Sequence, residues 1–244
     1  MTSRRNAAAG AGPPLPADES SVVSALADAA MLGGFFAISY GAARPGAWQP
    51  AAAMYQQGMA ELAAQTGRAL GTREDRVAVS TLQLGYAARL WSPALACVLA
   101  DGIVPDLGGL EVSTRLPLQV RLPAAAGWNP PTLDATTSLL YDVVVTGHLA
   151  PLAAGLRGQV ASGLLWGNAA SAMIGSLTVL ADARPGLAQP ARSIAGRLLG
   201  IGMLRGTGQL TGPALAFRRN SCCLYYRVPG GGLCGDCSLH ENEP

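Results

Sequence analysis

The stretch Phe217-Arg218-Arg219-Asn220-Ser221-Cys222-Cys223-Leu224-Tyr225-Tyr226-Arg227-Val228-Pro229-Gly230-Gly231-Gly232-Leu233-Cys234-Gly235-Asp236-Cys237 carries four of the five cysteines of this chain. Their spacing is C-C-x10-C-x2-C, with the turn Pro229-Gly230-Gly231-Gly232 between the two halves. Thiolates crowded in this way converge on one soft metal centre. Four is the ligand count both of a tetrahedral zinc ion and of a [2Fe–2S] cluster. Structural zinc sites usually draw on C-x2-4-C knuckles, whereas the neighbours Cys222 and Cys223 project apart, which suits a wider two-iron target. Spacing favours that target without closing the choice. It does divide the chain into a metal-binding end and a body whose fold must be read from its periodicities.

Upstream of the cysteines the body reads as mostly helical. Ser20-Ser21 is expected to cap a helix through about Leu32, stopped by Gly33-Gly34, and Ala51 to Leu70 has helical composition. Thr72 is a candidate N-cap, with Glu74 and Asp75 in the first turn. The helix it opens puts Val77, Leu84, Ala88 and Trp91 on one face and Arg76, Ser80 and Gln83 in a narrow polar stripe. Ser92-Pro93 reads as the start of a further helix carrying Cys97 and ending at Asp101-Gly102. Between Leu110 and Leu122 the period shifts towards two, a strand signal weakened by Pro117, and Trp128 to Pro131 reads as a loop. Thr137 or Ser138 is expected to open a helix through about Leu156 with a kink at Pro151, and helices follow over about Val160–Leu180 and Gln189–Met203. The fold class expected is therefore α+β, predominantly helical: a helical body with a small strand region and a C-terminal cysteine-rich segment. Residues 1–20 form an expected disordered tail, 21–205 the body and 206–244 the metal-binding segment.

Charge excludes one class of partner. Among 244 residues 50% are hydrophobic and 13% charged, every basic residue is arginine, and the net charge is +2. The arginines are scattered without a run, so nucleic acid is not an expected partner. Arg4-Arg5 raises the question of export, but Gly10, Gly12, Pro13, Pro14 and Pro16 occupy the place of the apolar region a signal needs. A cytoplasmic location is expected, where clustered thiols bind metal rather than pair as disulfides. The uncharged stretch from Gly158 to Ala181, with Gly163-x-x-x-Gly167, meets the length of a membrane span. Its Gln159, Asn168, serines and small alanines favour a buried soluble helix, leaving room for peripheral contact with a membrane.

The words around the cysteines closely resemble the C-terminal signature of the FhuF-like ferric-siderophore reductases, and no position in the motif departs from it. Gly85-Tyr86-Ala87-Ala88-Arg89-Leu90-Trp91-Ser92-Pro93-Ala94 and Leu164-Leu165-Trp166-Gly167-Asn168-Ala169-Ala170-Ser171 resemble further blocks of that family. The resemblance implies a [2Fe–2S] cluster held by Cys222, Cys223, Cys234 and Cys237. It also implies an oxidoreductase that reduces a chelated ferric ion by one electron and releases it as ferrous iron. The partners it implies are a ferric siderophore, of hydroxamate type, and an external donor such as a ferredoxin or a flavoprotein reductase. Two other readings compete: an iron–sulfur electron carrier for another enzyme, and a zinc-stapled interaction domain.

Single residues add little catalytic chemistry. No Ser-His-Asp set, phosphate-binding glycine loop or HExxH is present, so no catalytic group beyond the cluster is expected. Arg218, Arg219 and Arg227 flank the cysteines and are candidates to favour the reduced, more negative cluster. His148 lacks a second ligand at metal-binding spacing and reads as a satisfied helix histidine. His240 reads as part of a frayed end, Cys97 as a small core residue and Trp91 and Trp166 as core anchors.

Overall fold

In the computed structural model, residues 12–41, 47–212 and 214–240 are described. Part of the expected tail is structured. Strand β1 (Leu15–Pro16) pairs with a later strand, and Asp18, accepting from the Ser21 amide at 2.9 Å, caps α1 (Glu19–Ala30). A carboxylate there satisfies an orphan amide and faces the helix dipole, so Asp18 takes the role expected of the serines. Residues 1–11, with Arg4-Arg5, lie outside the described residues.

Strands β2 (Ser39–Tyr40) and β3 (Trp48–Pro50) precede α2 (Ala51–Gln56) and α3 (Ala60–Leu70). The expected single helix over 51–70 is interrupted where Gly58 and Met59 take positive φ. Helix α4 (Asp75–Asp101) is the longest helix among the described residues and ends on left-handed Gly102, as the sequence indicates. It does not restart at Ser92-Pro93. Pro93 removes one donor and crowds the Arg89 carbonyl, a cost of about 3 kcal/mol. Leu90, Trp91, Ala94 and Leu95 on either side are completely buried, and packing of that kind outweighs the defect. Ser92, rather than capping, shares a 2.8 Å hydroxyl–hydroxyl bond with Ser176 of the facing helix.

Short strands β4 (Val104–Pro105), β5 (Glu111–Ser113), β6 (Val120–Leu122) and β7 (Gly127–Asn129) follow. They build a three-stranded sheet β1-β7-β4 and a four-stranded sheet β2-β6-β5-β3, in which β2 is parallel to β6 and the other pairs are antiparallel. Trp128, expected in a loop, is in β7 opposite Val104. Helix α5 (Leu133–Leu140) opens a turn earlier than expected, because the Thr132 hydroxyl accepts from the Ala135 amide at 3.2 Å. It continues through a π-helical stretch, Tyr141–Leu149, into α6 (Ala150–Gly155). Pro151 has no amide to offer Gly147 and its ring crowds that carbonyl. The chain answers with wider turns, in which the Ala150 amide reaches Val145, instead of the expected kink.

Helix α7 (Ser162–Ala183) is apolar and long enough to cross a membrane by length and composition. Here 72% of that span is buried inside the protein, against α4 and α8 (Ala188–Leu198). Ala169, Ala170, Met173 and Leu177 pack on α4 without exposure. The hairpin β8 (Gly208–Leu210) and β9 (Phe217–Arg219) then leads into the cysteine segment. The fold is α+β and predominantly helical, with the cysteines gathered at one end.

Candidate metal centre

The cysteine segment is seated on α4 and α7 by a chain of buried polar contacts. The Ser80 hydroxyl donates to the Cys223 carbonyl at 2.6 Å. The Asn168 amide donates to the Ser80 carbonyl at 3.0 Å and to its hydroxyl at 3.1 Å. The Arg219 guanidinium in turn donates to Asn168 Oδ1 at 2.5 Å. Beside them the Ser221 hydroxyl donates to the Gly163 carbonyl at 2.9 Å. A Cβ on Gly167 would lie 2.1 Å from Ser221 Oγ and 3.1 Å from Arg219 Nη2. Gly163-x-x-x-Gly167 is therefore a bed for the cysteine segment. Ser80 and Gln83 are buried, so that part of the polar stripe on α4 faces inward, while Arg76 stays in water and pairs with Glu74.

The loop between the two cysteine pairs turns sharply. Leu224 adopts a left-handed conformation, φ 66, and its amide reaches Cys222 Sγ at 3.3 Å. The Leu239 amide reaches Cys237 Sγ at 3.4 Å. Backbone N–H groups on ligand sulfurs stabilise thiolate charge and are among the levers that set cluster potentials. Gly230 takes φ +72, and a Cβ on Gly231 would press into the Tyr225 carbonyl at 2.5 Å. That turn needs glycine on both counts.

All four cysteines are free. Cys223 and Cys237 are buried, 4% and 2% exposed, while Cys222 and Cys234 are half-buried. The Cys223 and Cys234 sulfurs lie 3.5 Å apart. Burial pushes the Cys222 thiol up, and burial with the Cys223 contact pushes the Cys234 thiol well up. Among the described residues no three His, Cys, Asp or Glu side chains close on a single ion. The Cys223–Cys234 contact brings together one sulfur from each half of the motif, as a centre held by four thiolates requires.

Arg219 supplies a second test of fit. It is 1% exposed, and its Nε and Nη1 have no protein partner. A buried, incompletely bonded cation is costly unless an anion faces it. Its charge acts on the Cys222 thiol, lowering it, so a thiolate-bound cluster held by these cysteines would supply negative charge of the sign this guanidinium lacks. The other flanking arginines are placed differently. Arg227 pairs with Glu74 at the start of α4, with N–O distances of 2.8 and 2.9 Å. That ion pair holds the Glu74 carboxyl below its ordinary value. Arg218 donates to the His240 carbonyl at 2.7 Å. His240 Nε2 bonds the Cys234 carbonyl at 2.9 Å, not a sulfur.

The remaining candidates are structural. Both His148 ring nitrogens are partnered: Nε2–H donates to the Leu107 carbonyl at 2.9 Å, so Nδ1 accepts from the Tyr55 hydroxyl at 2.5 Å. Tyr55 bonds the Tyr86 hydroxyl in turn. Burial holds His148 down to about 4, neutral at physiological pH. Cys97 is completely buried, and burial pushes its thiol up to about 12. Trp91 and Trp166 are core residues.

Comparison with known proteins agrees with this geometry over the cysteine segment. The family model described as FhuF 2Fe-2S C-terminal domain matches residues 219–239, which contain all four cysteines. The match indicates a [2Fe–2S] cluster and bears out the resemblance read from the motif. No curated protein matches the chain.

Proposed function

We propose that this protein is a ferric-chelate reductase that frees siderophore-bound iron, with Cys222, Cys223, Cys234 and Cys237 as the cluster ligands. The observation that carries the reading is the buried Arg219 guanidinium, short of partners, beside four thiols within a matched [2Fe–2S] motif. When bound, the cluster supplies a one-electron carrier. The substrate side of the chemistry is simple. Chelated Fe(III) accepts one electron, Fe(II) is held weakly by the hard oxygen ligands and leaves, and solvent protons return to those oxygens. The electron comes from an external reductant of the ferredoxin or flavoprotein class. Arg219 favours the added negative charge, the Leu224 and Leu239 amides orient the sulfurs, and Ser80 fixes the Cys222-Cys223 half on α4. The reducing cytoplasm is the compartment we assign to the reaction, since it keeps such thiols available for metal.

Protein purified anaerobically is expected to be red-brown, with about two irons and two sulfides per chain. Reduced protein mixed with a ferric chelate should reoxidise and yield one ferrous ion per cluster, caught by a ferrous-specific chelator. Inertness towards hydroxamate, catecholate and citrate chelates alike would refute the reductase. A second reading, an electron carrier, draws on the exposed Tyr225, Tyr226, Leu233 and Leu239 around the ligands, a surface suited to a protein partner. Ready transfer to another redox protein by chelate-inert material would favour it.

A further inference from the structure

We propose that Asn168 is a positioning residue for electron transfer: it holds the Arg219 cation beside the cysteines without neutralising it, and so raises the potential of the cluster. The proposal needs the cluster but no substrate, so it stands or falls apart from the reductase reading. Two arginines are buried among the described residues, and they are anchored in opposite ways. Arg121, 8% exposed, meets the Glu111 carboxylate at 2.9 Å. Arg219, 1% exposed, pairs with no carboxylate among the described residues and meets an amide instead, Asn168 Oδ1 at 2.5 Å.

The chemistry of the two neighbours dictates an amide. Asn168 is 0% exposed and faces a guanidinium on one side and the Ser80 carbonyl on the other. A guanidinium only donates and a carbonyl only accepts, so the oxygen of the side chain must face Arg219 and its nitrogen Ser80. A carboxylate would meet the Ser80 carbonyl with a second acceptor, and an apolar side chain would leave Arg219 without its one side-chain partner. Gly167 keeps the approach open, since a Cβ there would lie 3.1 Å from Arg219 Nη2.

Electrostatics gives that choice its consequence. A carboxylate at hydrogen-bond distance cancels most of the field a guanidinium exerts beyond it, whereas a neutral amide dipole leaves the field nearly whole. Only Nη2 is committed to Asn168, and Nε and Nη1 have no protein partner. The same amide nitrogen holds Ser80, whose hydroxyl donates to the Cys223 carbonyl at 2.6 Å. One side chain thus fixes where the cation stands relative to the Cys222-Cys223 half. A cation kept whole there favours the electron that reduction adds to the cluster.

Redox titrations of the cluster-loaded protein, followed by EPR, test the role. Asn168→Asp sets a carboxylate against Arg219 and is expected to lower the midpoint potential by the equivalent of about tenfold or more in the one-electron equilibrium, about 60 mV. Asn168→Ser adds no charge but is too short to hold the guanidinium, and should lower the potential by the equivalent of about threefold or more. The same Asn168→Ser change made together with Arg219→Gln should add less than about twofold to the effect of Arg219→Gln alone, because no cation is left to position. Iron and sulfide content shows that each variant is assembled, and the serine comparison decides alone if Asn168→Asp fails to load. Equal shifts from Asn168→Ser with and without Arg219 would mean that Asn168 acts through Ser80 and the Cys223 carbonyl. A wild-type potential in assembled Asn168→Asp or Asn168→Ser protein would mean that Asn168 does not govern the charge the cluster feels. Either result overturns the proposal, and neither involves a ferric chelate.

Discussion

A guanidinium that is 1% exposed and has two nitrogens without a protein partner is held where only a nearby negative charge justifies it. Arg219→Gln is therefore expected to lower the cluster midpoint potential by about 60 mV or more, the equivalent of tenfold in a one-electron couple. Arg227→Ala should shift it much less, because that charge is surface-exposed and already offset by Glu74. An EPR-monitored redox titration of the three proteins decides; equal shifts in both variants would remove the special role of Arg219. The sequence offers three flanking arginines and no way to rank them. Their difference lies in which side of β9 and its loop faces α7, and that is set by tertiary packing. The four cysteines, by contrast, stand out as a candidate metal set from their crowding, while the two-iron reading rests on the resemblance of the surrounding motif and the family match over it.

At the scale of elements, the small residues of α7 explain how a loop sits against a helix. Gly167→Ala places a methyl group against Ser221 and Arg219, so the cysteine segment must lift or the helix shift. A loss of about 1–3 kcal/mol is expected, the usual cost of overpacking, together with faster loss of iron on dilution. Thermal denaturation and the decay of visible absorbance report the two effects. Retention of both at wild-type values would show that the seat tolerates displacement. Periodicity and caps located most helices, and Gly102 ended α4 as read. Two of the misplacements share a physical cause. Pro93 and Pro151 are read locally as breaks, but burial against neighbours carries the helix past one and a π-helical stretch absorbs the other. Gly163-x-x-x-Gly167 was visible as a packing motif; its partner was not, because that partner is a loop some fifty residues away.

For the molecule as a whole, the buried Tyr86–Tyr55–His148–Leu107 chain ties α4, α2, the π-helical stretch and the loop after β4 together. It also makes stability depend on pH. His148 is held down to about 4 in the folded protein, against an ordinary value of 6.5. Below pH 6.5 the unfolded chain takes up a proton that the folded one refuses. Stability contributed by the neutral ring is therefore intact above pH 6.5 and is lost progressively as pH falls towards 4, up to about 3 kcal/mol. His148→Gln should show a lower but flatter melting temperature between pH 6.5 and 4, measured by circular dichroism. A slope as steep as wild type would assign the acid sensitivity to other groups. The two halves of the metal centre differ in how they are tethered. Cys222 and Cys223 come after Arg219-Asn220-Ser221 and are clamped to the helices through Ser80 and Asn168, whereas Cys234 and Cys237 lie beyond the glycine turn and are tied back to β9 through the Arg219 amide and Asp236 carbonyl. The site is thus a vice gripped from two directions: a change at Ser80 or Asn168 reaches the Cys222-Cys223 jaw first, and one at Gly230 or Gly231 reaches the jaw carrying Cys234 and Cys237.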